Sequence, residues 1–142
     1  MISEEQKRFE EETGKNRSEC DSFLSVNKMR TGVHETKSGL QYERMKDIVS
    51  DPEPRMDSTV VIDYTMTLLN GSVIESSYDR QSCAVIKVNE LPSGFAEALM
   101  MMSPGDMYRF WIPPELAFGE DGSVFIGPSE LVIFEVTLHE VQ

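Results

Sequence analysis

Between Ser58 and Leu69 the residues alternate, and this alternation constrains the chain more than any other feature. Val60, Ile62, Tyr64, Met66 and Leu68 fall on one side; Val61, Asp63, Thr65, Thr67 and Leu69 fall on the other. Successive strand side chains point to opposite faces, so the first set reads as the core face of a β-strand. Asn70-Gly71 follows at once. Both central positions of a tight hairpin turn want positive φ, which Asn and Gly tolerate. Val73-Ile74-Glu75 then reads as the returning strand.

The same period recurs elsewhere. Leu40–Met45 reads as a strand with Leu40 and Tyr42 on one side, and Cys83–Val88 as another. Met107–Ile112 places Tyr108, Phe110 and Ile112 opposite Met107, Arg109 and Trp111, and Pro113-Pro114 ends it. Leu131–Val141 closes the chain with Val132, Phe134, Val136 and Leu138 on one face. Leu91–Met102 is the exception: it reads as a short helix entered through Pro92, with Phe95 in its first turn. The fold class that follows is α+β, an antiparallel sheet of about five strands with one short helix packed on it. Ser50–Arg55 reads as a loop, because Pro52 and Pro54 oppose regular pairing. Leu116–Glu130 is a longer loop with Gly119, Gly122, Gly127 and Pro128, and loops of that length in compact domains are usually functional or disordered.

Residues 1–32 are polar and helical in pattern. Ser3 and Gln6 have capping-box spacing. Gly14 reads as an interruption, and Asn16-Arg17-Ser18-Glu19 as a second start. Cys20, Phe23, Leu24 and Asn27 then form a narrow stripe at helical spacing. Such a stripe suits a helix laid on the domain surface; a remnant dimerisation arm is the alternative. Thr31–Gly39 reads as a connector. The domain division expected is 1–36, a helical extension, and 37–142, the sheet domain.

Net charge is −12. That disfavours nucleic acid, whose phosphates need Lys and Arg, and anionic membrane surfaces. No apolar run is long enough to span a bilayer. The acidic start, Met1-Ile2-Ser3-Glu4-Glu5, does not resemble a signal peptide. The chain is therefore expected in the cytoplasm, or in the periplasm or cell envelope if an export signal has been removed. Cys20 and Cys83 read as two isolated buried thiols, with one disulfide the alternative. His34 and His139 are the only histidines. His139 shares a strand face with Glu135 and Thr137 and reads as solvated, so no Ser/His/Asp arrangement can be built. Phosphate-cradling glycine motifs are absent, Glu120-Asp121-Gly122 lacks Ca²⁺-ligand spacing, and no cofactor or metal is expected. What remains is an apolar set drawn from separate elements: Tyr64, Ile74, Leu91, Phe95, Phe118 and Phe134. From composition alone this set reads as well as core as it does as a pocket.

From about Ser38 onward the sequence resembles the FK506-binding-protein class of peptidyl-prolyl isomerases. The resemblance rests on Val60-x-Ile62-x-Tyr64, Leu68-Leu69-Asn70-Gly71-x-Val73, Ser76-Ser77 and Gly94-Phe95-x-Glu97-Ala98-Leu99. It continues through Met102-x-x-Gly105, Ile112-Pro113, Glu115-Leu116-Ala117-Phe118-Gly119 and Leu131-x-Ile133-Phe134-Glu135-Val136. Ser38-Gly39-Leu40-Gln41-Tyr42 after a helical arm, and Ile126-Gly127-Pro128, resemble the macrophage-infectivity-potentiator subgroup.

The resemblance implies a twisted sheet wrapped around the helix and an apolar pocket that accepts the proline ring of a polypeptide. Tyr64 and Phe134 match the pocket walls and Phe95 the floor. Leu91 replaces a valine-like residue, and Ile74-Glu75 stand where Phe-Asp is usual. Phe118 occupies a position where a tyrosine hydroxyl commonly donates. Pro92 stands where a backbone N–H donates, and proline has none. The implied activity is a weakened prolyl isomerase with weak macrolide affinity, acting as a monomer or as a dimer through the N-terminal helix. The alternative is a non-catalytic chaperone or binding module.

Overall fold

The computed structural model describes residues 3–48 and 52–142. Met1 and Ile2, and the Ser50-Asp51 part of the expected loop, lie outside the described residues. Helix α1 (Glu4–Asn27) is followed by strands β1 (Val33–Glu35), β2 (Gln41–Lys46), β3 (Thr59–Leu68), β4 (Val73–Ser76) and β5 (Ala84–Lys87). Helix α2 (Ser93–Met100), β6 (Met107–Ile112) and β7 (Val132–Val141) complete the chain. The sheet is antiparallel and runs β1-β2-β6-β7-β3-β4, with β5 also paired to β3. β7 pairs with β3 from Val60 to Leu68, so β4 and β5 share the other edge of β3. The class is as expected, with seven strands among the described residues rather than about five; β1, expected as part of a connector, pairs with β2.

In β3 burial alternates along all ten residues, as the sequence requires. Its inward side chains join Phe110, Val132, Phe134, Val136 and Leu138 in one core. Helix α2 lies on that face and buries Phe95, Ala96, Ala98 and Leu99 there. It can lie so close because residue 94 is glycine. A Cβ there would stand 2.5 Å from Ile112 Cγ2 and 2.6 Å from the Leu116 carbonyl oxygen.

A second cluster sits on the opposite face, where Trp111, Val33 and Leu131 pack against Cys20, Phe23 and Leu24 of α1. The helix therefore lies on the domain surface. A buried polar seam fixes it: Asn27 donates to Gln41 Oε1 at 2.9 Å, and Gln41 Nε2 donates to the Leu24 carbonyl at 2.9 Å. Two further contacts reach the long loop and the residue before it. Asn16 Nδ2 donates to the Pro128 carbonyl at 2.9 Å, and Arg17 lies 3.4 Å from Glu115.

Three expectations change. α1 runs unbroken through Gly14, where a Cβ would meet nothing within 4 Å. Glycine costs an exposed helix about 1 kcal/mol relative to alanine, which the docking of residues 16–27 on the domain offsets. Asn16 starts no second helix: it lies inside α1, and its side-chain amide donates to the Pro128 carbonyl instead of capping. Cys20 is buried but Cys83 is exposed, and both are free thiols.

Candidate active site

β3, β4, β5, α2 and the long loop converge on a cavity of about 270 Å³. Phe95 forms its base. It can do so because Pro92, extended at φ −54° and ψ 154°, caps α2 and sends the first helical turn inward. Phe134 of β7 meets Phe95 edge to face, with ring centroids 5.0 Å apart. Tyr64 lies 5.8 Å from Phe134, and Phe118, carried by the long loop, stands edge-on to Phe95 at 5.8 Å. Such arrangements suit the ring quadrupoles.

The polar rim is one chain of contacts. The Tyr64 hydroxyl donates to Glu75 Oε1. Arg80 Nη1 donates to the same carboxylate oxygen at 2.7 Å, and its guanidinium carbon lies 5.6 Å from the Tyr64 ring centroid. Burial and the bond to Glu75 push the Tyr64 phenol above its ordinary pKa, against the opposing effect of Arg80. The phenol thus keeps its proton at neutral pH and serves as a donor already committed to Glu75.

Seven of the eight residues singled out from the sequence line this cavity: Tyr64, Glu75, Leu91, Pro92, Phe95, Phe118 and Phe134. Ile74 does not. The pairing of β3 with β4 slips there, with Met66 opposite Glu75 and Thr67 opposite Val73. Ile74 is left between them, half-buried against the core. Ile62, Met66 and Ile86, outside the set the sequence suggests, also line the cavity. The alternation of β3 already placed Ile62 and Met66 beside Tyr64, so the pocket wall is an exposed part of the core face. Arg80 lies in an irregular turn, where periodicity carries no signal.

Residues 51–139 match the family model described as FKBP-type peptidyl-prolyl cis-trans isomerase. The chain belongs to that family. Residues 1–43 match the domain amino-terminal to FKBP-type isomerases. The chain is 36% identical over 128 residues to the peptidyl-prolyl cis-trans isomerase Mip of Coxiella burnetii, covering 89% of this chain and 55% of the relative. It is 32% identical over 143 residues to outer membrane protein MIP of Legionella longbeachae, covering 100% of this chain and 61% of that protein. The crystal structure of FkpA from Escherichia coli superposes with a TM-score of 0.93 at 27% identity, over 96% of this chain and 64% of that one. The chain thus spans little more than half the length of the curated relatives it matches.

Within the FKBP-type fold the cavity here is poor in free hydrogen-bond donors. Phe118 has no hydroxyl, Pro92 has no N–H, and the Tyr64 hydroxyl is held by Glu75. Among the described residues, no helix is long and apolar enough to cross a membrane.

Proposed function

We propose that the chain is a peptidyl-prolyl cis-trans isomerase that accepts X-Pro segments of polypeptides in the Phe95 cavity. The observation that carries this is the cavity itself: aromatic on three sides, about 270 Å³, and open beside a hydroxyl that stays neutral. Rotation about an X-Pro bond meets a barrier of about 18–20 kcal/mol, because twisting removes amide resonance. The planar amide is the more charge-separated state and gains more from water. An apolar cavity removes that hydration and narrows the gap to the twisted state. Phe95 supports the ring, Tyr64 and Phe134 form walls, Leu91 and Pro92 form a rim, and Phe118 closes the loop side. Glu75 and Arg80 hold Tyr64 in place. Ile74 supports this arrangement from outside the cavity.

Losing two positioning hydrogen bonds, at Phe118 and Pro92, weakens catalysis and macrolide binding by roughly 10- to 100-fold relative to a pocket that has both. The division into a helical segment, 1–36, and an isomerase domain, 37–142, belongs to the same reading. Association through α1 is a further part of it; because Cys20, Phe23 and Leu24 are taken up by the chain's own sheet, a partner would meet the exposed, mostly polar face of the helix.

The lack of free donors favours a second reading, a module that holds apolar or proline-containing segments without turning them over. A protease-coupled assay on a prolyl peptide separates the two. Acceleration above background at micromolar protein supports the isomerase; none, with binding retained, supports the module.

A further inference from the structure

On the face of β3 opposite the cavity, three different metal-ligating side chains meet. Asp63 comes from β3, Cys83 from the residue before β5, and His139 from β7. Their ligand atoms all lie within 4.8 Å of one another. His139 Nε2 is 2.8 Å from Asp63 Oδ2, and Cys83 Sγ is 3.4 Å from the same oxygen. The other carboxylate oxygen accepts from Ser77 Oγ at 2.7 Å. A depression of about 240 Å³ opens above Asp63, Ser77 and Cys83.

The backbone brings His139 there by a local irregularity. Val61 stands opposite Glu140 and Ile62 opposite Leu138, so His139 has no partner in register. Extra residues of this kind re-aim a side chain and recur beside functional sites. The turn that delivers Cys83 contains Gln81 at φ 55°, a left-handed conformation uncommon for a residue with a side chain. A solvated hydrogen-bond cluster needs neither distortion, nor a thiol.

We propose that Asp63, Cys83 and His139 bind one Zn²⁺ ion, with water in the fourth position. Thiolate, imidazole and carboxylate are the three donor types zinc takes, and three protein ligands with one open position is a recurring zinc arrangement. With ordinary zinc bond lengths, tetrahedral ligand atoms stand roughly 3.3–3.6 Å apart. The Asp63–His139 pair must open by about half an ångström to reach this, and the Cys83–Asp63 pair already fits. Cys83 and His139 are exposed and held only through Asp63 Oδ2, while Asp63 is steadied by Ser77. On binding, the thiol proton passes to solvent as the sulfur–zinc bond forms, and no electron changes hands. Ser77 also accepts from the Tyr64 backbone N–H at 2.9 Å, so the site lies directly behind a cavity wall.

Titration of the metal-free protein with ZnCl₂ against a chromophoric chelator tests the proposal. One ion per chain with micromolar affinity is expected. Cys83→Ser and His139→Gln should each weaken it by more than about tenfold, since even second-sphere losses at such sites cost that much. His34→Gln, which removes the other histidine, should leave it unchanged. Alkylation of Cys83 on the folded protein should block binding without any substitution. Co²⁺ in place of Zn²⁺ should give a thiolate charge-transfer band that Cys83→Ser abolishes. No binding at high micromolar zinc overturns the proposal, as does binding that survives both Cys83→Ser and His139→Gln.

Discussion

Phe95 at the start of α2 and Phe134 in β7 meet edge to face with ring centroids 5.0 Å apart, and both are 2% exposed. The same two rings hold α2 on the sheet and form the base and wall of the cavity. Phe134→Ala should therefore destabilise the fold by about 3–5 kcal/mol, the range for removing a buried aromatic. Urea unfolding followed by circular dichroism reads this directly. A loss below about 1 kcal/mol would mean that the rings do not pack as described.

Restoring the missing donors should strengthen the site. Pro92→Ile returns an N–H to the rim, and Phe118→Tyr returns a hydroxyl to the loop side. Together they should raise isomerase activity and macrolide affinity by roughly 10- to 100-fold. Peptide isomerisation rates and macrolide titration check this. No change in either would show that donors at these positions do not position the substrate carbonyl.

Much of this geometry was legible in the sequence because it follows from alternation. Burial alternates through all ten residues of β3; the turn lies where Asn70-Gly71 predicts it, but only Gly71 takes positive φ, at 90°, with its N–H bound to the Leu68 carbonyl. The hidden parts are those that periodicity does not report. β1 is three residues long with only Val33 buried, and exists because β2 offers it an edge. Gln41 reads as the polar side of a strand, yet it is buried and bound to Asn27 and Leu24. Ile74 sits where the β3–β4 register slips, so the rule that placed its neighbours misplaced it; His139, at a second slip, is exposed as alternation implies, but its contact with Asp63 carries no periodic signal. Arg80 enters the site from a turn, through contacts between residues that only the fold brings together.

Trp111 reports on α1 rather than on the cavity. It is 3% exposed on the far face, packed against Cys20 and Leu131, with the Arg30 guanidinium 5.3 Å from its ring. A cavity ligand should leave its fluorescence unchanged, whereas Leu24→Glu in α1 should shift its emission to the red. Strong quenching by a prolyl peptide would contradict this placement.

The two thiols should differ in reactivity. Burial, with smaller contributions from Asp21 and Glu115, pushes the Cys20 thiol up to about 11. Cys83 is exposed. Iodoacetamide at mildly alkaline pH should label one thiol in the folded protein and two after denaturation, with Cys83 the first by peptide mass mapping. Equal rates at both sites would show that α1 does not stay docked.

Raising the pH should spare the cavity until the phenol ionises. The folded Tyr64 pKa lies above its ordinary value of 10.0. Its contribution to stability is thus fully present below about pH 10 and is lost as pH rises through the folded value. Activity limited by Tyr64 should accordingly hold from neutral pH to about pH 10. A fall beginning near neutrality would show that the Tyr64–Glu75–Arg80 contact does not hold the proton.

Exchange NMR on a prolyl peptide mixed with micromolar protein tests the central claim most directly, because it reads binding and turnover together. Unaided exchange between the cis and trans forms takes tens to hundreds of seconds. The predicted result is cis–trans exchange well above that background, suppressed when a macrolide fills the Phe95 cavity. Peptide resonances that broaden through binding while exchange stays at background would contradict catalysis and leave a module that only binds.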